Sequence, residues 1–195
     1  MAMKQPTEST TSSMPILAEL VKDRVMIWEH NQGSKLYASG FYGKPVGIRK
    51  PKGESFDRPL ELSLIEACFL LEKRRIIIYK TTTENKISLE ELETIGKRTI
   101  PLFEEKMLIY KDMRRRGLVP RPGLKFGADF AVYQHGPGID HSPYVISALP
   151  RGSKLTALEL IRAGRLATSV KKKFVIATIL SNNEVRYYGF VWTKP

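Results

Sequence analysis

A lone cysteine, Cys68, stands in the 195-residue chain, and it falls inside the apolar run LSLIEACFLLE. No internal disulfide can form, so an intracellular, cytoplasmic location is the default expectation. No apolar stretch approaches the ~18 residues needed to cross a bilayer. The opening residues MAMKQPTESTTSSMP lack the apolar middle of a signal peptide and read as a disordered tail over 1–15. After Gly117 the acids are Asp129, Asp140, Glu159 and Glu184. They form no carboxylate pair at nuclease spacing on adjacent strands. No zinc-ligand spacing occurs, and phosphate loops of the Walker or dinucleotide type are missing. These absences argue against a secreted disulfide scaffold, a membrane span, a zinc site and nucleotide-dependent chemistry. They imply no metal and no cofactor.

Positive charge is what the chain has in excess. The formal net charge is +12, and the distribution is uneven. From Lys111 onward there are fifteen Lys/Arg and five Asp/Glu, a net of +10, against +2 for the first 110 residues. Such localisation favours a polyanionic partner for the C-terminal part, above all nucleic acid.

Patterning suggests two units. Ile16–Glu29 and Lys35–Phe41 suit short antiparallel strands. Residues 43–59, GKPVGIRKPKGESFDRP, form a basic loop. Capping boxes at Ser63–Glu66 and Ser88–Glu91 open helices, the first followed by a strand at Arg75–Lys80. Ile100–Arg116 is an amphipathic helix ended by Gly117. Strands at Phe126–Tyr133 and Tyr144–Leu149 flank a Gly/Pro loop. A third box at Thr156–Glu159 opens a helix to Ser169, and strands follow at Phe174–Leu180 and Val185–Thr193. The expectation is a mixed α/β (α+β) fold. It has a small N-terminal mixed α/β domain over 16–90 and a C-terminal α/β domain over 100–195 around a central mixed sheet.

Charge and residue types leave metal-free RNA cleavage open. That reaction uses the neighbouring 2′-hydroxyl as nucleophile. It needs a base, an acid for the leaving 5′-oxygen and a cation for the developing phosphorane. Candidate parts are Tyr133 at a strand end, His141 in the loop and the Lys171–Lys173 run. Tyrosine is ~0.1% ionised at pH 7 at its reference pKa, so a nearby ammonium would help it act as base. Each part also has an ordinary reading: strand-end packing, a solvated histidine, lysines at a helix C-terminus.

At these residues the sequence resembles the archaeal tRNA-splicing endonuclease family. The matching segments are YKDMRRRGLVPRPGLKFGADFAVY, HSPYVI, ELIRAGRLATSVKKKFVIA and VRYYGFVW, over about residues 107–195. The first half, with SLIEACFLLEKRRI, resembles the family's N-terminal domain. The resemblance implies a nuclease domain that cuts precursor tRNA at bulge-helix-bulge motifs without a metal, leaving 2′,3′-cyclic phosphate and 5′-hydroxyl ends. It implies Tyr133 as base, His141 as acid and Lys172 as stabiliser, the lysine being second after a valine, here Val170. His135 matches nothing catalytic. Arg165, seven residues before Lys172, and Arg186 are the implied clamp on a flipped bulge base. Lys44 in the basic loop is the implied RNA contact of two-chain members, with Arg49, Lys50 and Lys52 beside it. Four-identical-chain members carry an acidic turn between the last two strands. Here that turn is Ser181-Asn182-Asn183-Glu184, with one acid. The expectation is therefore a two-plus-two heterotetramer whose non-catalytic partner supplies the acidic docking loop, with the final strand in a dimer interface. The alternative is a non-catalytic RNA-binding subunit of the same complex.

Overall fold

The computed structural model describes residues 14–48, 51, 53, 55–81, 85–169 and 171–190. Most of the expected tail, the cations Arg49, Lys50 and Lys52, and the chain beyond Phe190 lie outside them.

Strands β1 (Ile16–Val21) and β2 (Arg24–Ile27) form a hairpin, followed by helix α1 (His30–Ala38). Then come β3 (Lys44–Pro45), β4 (Leu60–Leu62), helix α2 (Leu64–Glu72) and β5 (Ile76–Lys80). The sheet order is β3-β4-β2-β1-β5, antiparallel except where β5 joins β1. α2 is buried on nearly all sides, Leu64 to Leu70, which its unbroken apolar composition requires. Within it Cys68 is fully buried, and desolvation pushes its thiol up to about 12.

One expected strand is a helix. Lys35–Phe41 alternates apolar and small residues in KLYASGF, but Glu29 caps the amides of Asn31 and Gln32 and starts α1 through it. Leu36 and Tyr37 are the buried pair, and Gly40 and Phe41 follow the helix end. The cap outweighed the local period.

Helices α3 (Leu89–Thr99) and α4 (Phe103–Arg115) follow. Ser88 caps α3, but Glu91 does not reach back to complete the box; its carboxylate pairs with Lys80 at 2.5 Å. α4 stops at Gly117, whose φ of +76° suits glycine. The second sheet is built from β6 (Val119–Pro122), β7 (Phe130–Tyr133), β8 (Tyr144–Leu149), β9 (Lys173–Ile179) and β10 (Val185–Gly189). α5 (Ala157–Ser169) crosses between β8 and β9, which pair in parallel; the other pairs are antiparallel. The order is β10-β9-β8-β7-β6. β7 is shorter than the pattern suggested, because Leu124–Phe126 folds as a 3-10 turn that Gly127 closes in the left-handed region. Thr156 and Glu159 complete the box at the start of α5.

The two sheets share one hydrophobic core with α2 and α4 between them. Glu66, 2% exposed, is the polar joint. Its carboxylate accepts from the Ser63 amide and hydroxyl, from the Gly43 amide at 3.0 Å, and from Arg121 of β6 at 3.1 Å. Arg114 of α4 donates to the Gly40 carbonyl at 2.7 Å, and Arg121 donates to the Phe41 carbonyl. Carbonyls just past the end of α1 are thus closed by cations from the second unit.

Candidate active site

Register brings three chain segments to one edge of the second sheet. Val132 of β7 lies opposite Tyr144 of β8, and Tyr144 lies opposite Lys173 of β9. β7 runs against β8, whereas β8 and β9 run parallel. The end of β7 and the lead-ins to β8 and β9 therefore leave the sheet on the same side. Tyr133 ends β7, His141 precedes β8 by three residues, and Lys172 precedes β9 by one. The structure brings these three together at that edge.

Each sits differently. Tyr133 is half-buried and pairs with Val119. His141 is exposed. Of the three lysines, Lys171 and Lys173 are exposed while Lys172 is half-buried. Lys171 takes a left-handed φ of +54° directly before Lys172. The Lys172 ammonium donates to the Ser142 carbonyl at 2.6 Å and to the Ser142 hydroxyl at 2.5 Å. It also stands 4.7 Å from the centroid of the Phe126 ring. Burial, and then the charge of Lys125, hold its pKa below the ordinary lysine value. The Lys125 ammonium lies 4.7 Å from the same Phe126 centroid. The edge thus concentrates positive charge beside a tyrosine and a histidine.

The loop between Tyr133 and His141 is held from two directions. From inside, the Asp140 carboxylate accepts from the amides of Gln134, His135 and Gly136. Burial works to raise the Asp140 pKa, but those three bonds and the His135 charge outweigh it, and the net shift is downward. From the first unit, Phe41 packs on Gly136: a methyl group there would meet the Phe41 ring at 2.4 Å, and φ is +137°. Gly138 of the same loop comes near the Pro51 carbonyl in the basic loop. The remaining acids are engaged elsewhere. Asp129 binds Lys106 at 2.7 Å and the Ala148 amide at 2.8 Å, and Asp112 holds Arg115, Arg116 and Tyr187. Among the described residues no three His, Cys, Asp or Glu side chains gather for a metal ion.

Comparison with known proteins decides the family. Residues 103–187 match the model of the tRNA intron endonuclease catalytic C-terminal domain, and residues 16–93 that of its N-terminal domain. Three archaeal relatives named tRNA-splicing endonuclease align over 181 residues, 92% of this chain and 99% of each relative. Identity is 43% for Hyperthermus butylicus, 39% for Sulfurisphaera tokodaii and 40% for Saccharolobus solfataricus. The chain belongs to the tRNA intron endonuclease family.

In this member of the family the remaining expected RNA contacts are spread out. Arg165 is exposed on α5, four residues before the helix end that leads to Lys172, about 6 Å along the axis. Arg186 is exposed on β10 opposite Thr178, at the far end of the sheet and about 20 Å along β9 from Lys172. It is not brought to the Tyr133 edge within one chain; Glu184 lies 3.9 Å from its Nε. Lys44 is exposed on β3, the edge strand of the first sheet, opposite Glu61. Among the described residues no helix is long and apolar enough to cross a membrane.

Sequence reasoning passed over Asp140, Ser142, Lys125 and Gly136. Asp140 carried a local signal, an aspartate closing a Gly/Pro loop, where its side chain commonly accepts backbone amides. Ser142 carried only its place beside His141 in HSPYVI, with nothing to point to its partner Lys172 thirty residues away.

Proposed function

We propose that this chain is the catalytic subunit of a metal-independent endonuclease that excises introns from precursor tRNA at bulge-helix-bulge motifs. Tyr133 takes the proton of the 2′-hydroxyl as its oxygen attacks the adjacent phosphorus. Lys172 holds the negative charge of the phosphorane. His141 protonates the departing 5′-oxygen. The P–O5′ bond breaks as the P–O2′ bond forms, so the products are a 2′,3′-cyclic phosphate and a 5′-hydroxyl. Arg165 stacks on a splayed bulge base, since a guanidinium plane reads an unpaired nucleobase by stacking. Arg186 and Lys44 make further RNA contacts.

The single observation that carries this reading is the shared sheet edge, with a strand-end tyrosine, a loop histidine and a half-buried lysine. Family membership supports tRNA as the substrate class. The assembly reading is two of these chains with two non-catalytic chains that supply an acidic docking loop. The Ser181–Glu184 turn, with its single acid, and the net charge of +12 support a partner other than a copy of itself. The test is cleavage of a bulge-helix-bulge RNA by the reconstituted complex in chelator. His141→Ala is expected to lose at least about 100-fold, the scale of general acid catalysis. Full activity of His141→Ala would remove the acid assignment. Strict dependence on Mg²⁺ would remove the mechanism. His135→Ala is expected to cleave like the parent chain.

A further inference from the structure

His141 is exposed, yet the residues on either side of it are among the most firmly bonded at the site. We propose that Asp140 and Ser142 are positioning residues that tether His141 from both sides, Asp140 to the end of the Tyr133 strand and Ser142 to the Lys172 ammonium. The inference rests on the reading of His141 as acid and Lys172 as stabiliser.

Asp140 Oδ1 accepts from the Gly136 amide at 2.8 Å. Its Oδ2 accepts from the Gln134 amide at 2.9 Å and the His135 amide at 3.3 Å. These are the three residues directly after Tyr133. Hydrogen bonds to an ionised carboxylate are shorter and stronger than neutral ones, so this end of the loop follows β7. On the other side Ser142 is 3% exposed. Its carbonyl and its hydroxyl oxygen both accept from Lys172 Nζ, at 2.6 and 2.5 Å. A lysine ammonium has three donors, so two fix its place and one stays free for a phosphate oxygen. His141 is one peptide bond from each tether. A single tripeptide therefore sets the spacing of base, acid and cation, which arrive from β7, the loop and the β9 lead-in. Misplacement on the order of 1 Å can cost ~100-fold in rate, so such spacing matters.

Ser142→Ala removes the hydroxyl acceptor and keeps the carbonyl. Asp140→Asn keeps the shape and removes the charge and one accepting oxygen. In the reconstituted complex both are expected to lower kcat by roughly 10- to 100-fold with KM for the RNA unchanged. Ser142→Thr, which keeps the hydroxyl, is expected to recover activity. A second readout does not depend on cleavage. The charged group that acts on Lys172 is Lys125 from the 124–126 turn, a cation, whereas the Ser142 oxygens that accept from the ammonium favour its charged form. Ser142→Ala should therefore move the ¹³Cε titration of Lys172, and the alkaline limb of the pH–rate profile, to lower pH. An unchanged Lys172 titration in Ser142→Ala overturns the tether whatever the cleavage data say. Unchanged kcat in both variants, alongside an inactive His141→Ala, overturns it too while leaving the functional reading intact. An active His141→Ala would instead strike the functional reading, and the Lys172 titration would still decide whether Ser142 holds the lysine.

Discussion

Lys172 illustrates how much a single side chain's surroundings decide. Three consecutive lysines have the same chemistry, but Lys171 turns through a left-handed φ and Lys173 enters the exposed side of β9. Lys172 alone of the three is half-buried, between Ser142 and the Phe126 ring. Its lowered pKa has a consequence for rate. In the proposed mechanism the charged form is the useful one, so activity is expected to fall as pH rises through the Lys172 pKa, which lies below the ordinary lysine value. Lys125→Gln removes a repelling charge, raises that pKa and is expected to shift the alkaline limb upward. A limb that moves down, or not at all, would contradict the coupling. At the same scale, Gly136→Ala sets a methyl group into the Phe41 ring at a φ of +137°. The expected result is slower cleavage, because the residue lies between Tyr133 and His141; a parent-like rate would show that the loop tolerates the shift.

Among the elements, α2 and α4 carry the joints. Glu66 closes the α2 cap and meets Arg121 from β6, both largely buried. Removing one partner of a buried pair leaves the other charge uncompensated. Glu66→Ala is therefore expected to lower unfolding free energy by about 3–5 kcal/mol in a denaturant titration. Asp112 ties the C-terminal end of α4 to Tyr187 of β10. Burial opposes ionisation of Asp112, but hydrogen bonds from Arg115, Arg116 and Tyr187 prevail and its pKa is lowered. Such a group adds stability above its unfolded pKa of ~3.9, and that share is lost as pH falls through the folded value. Acid unfolding of Asp112→Asn should lack this component. Most elements were legible in the sequence because caps and patterns agree, as at Ser63, Thr156 and the β-branched run of β5. β6 was left unassigned, since two prolines in four residues weaken a strand signal; β6 is an edge strand, where proline is tolerated. α1 was misread because seven residues are too few to separate a short amphipathic helix from an alternating strand. At the site, residue types and chain positions were legible for Tyr133, His141 and Lys172. Their supports Asp140, Ser142 and Phe41 depend on contacts between distant segments, which no local pattern carries.

For the molecule as a whole, charge separates the two units. The net of +10 from Lys111 onward lies in the unit that carries the Tyr133 edge. RNA affinity should accordingly fall linearly in log–log plots against salt, as counterion release requires. The same charge opposes self-association, so the chain alone is expected to stop short of an active tetramer when weighed in solution. An active homotetramer would overturn the two-plus-two assembly. The central claim is attack by the RNA's own 2′-hydroxyl, organised by Tyr133, His141 and Lys172 without a metal. End-group analysis of RNA cut by the reconstituted complex in excess chelator tests it most directly. The account predicts 2′,3′-cyclic phosphate and 5′-hydroxyl ends at an undiminished rate; linear 3′-hydroxyl ends with 5′-phosphates would contradict it.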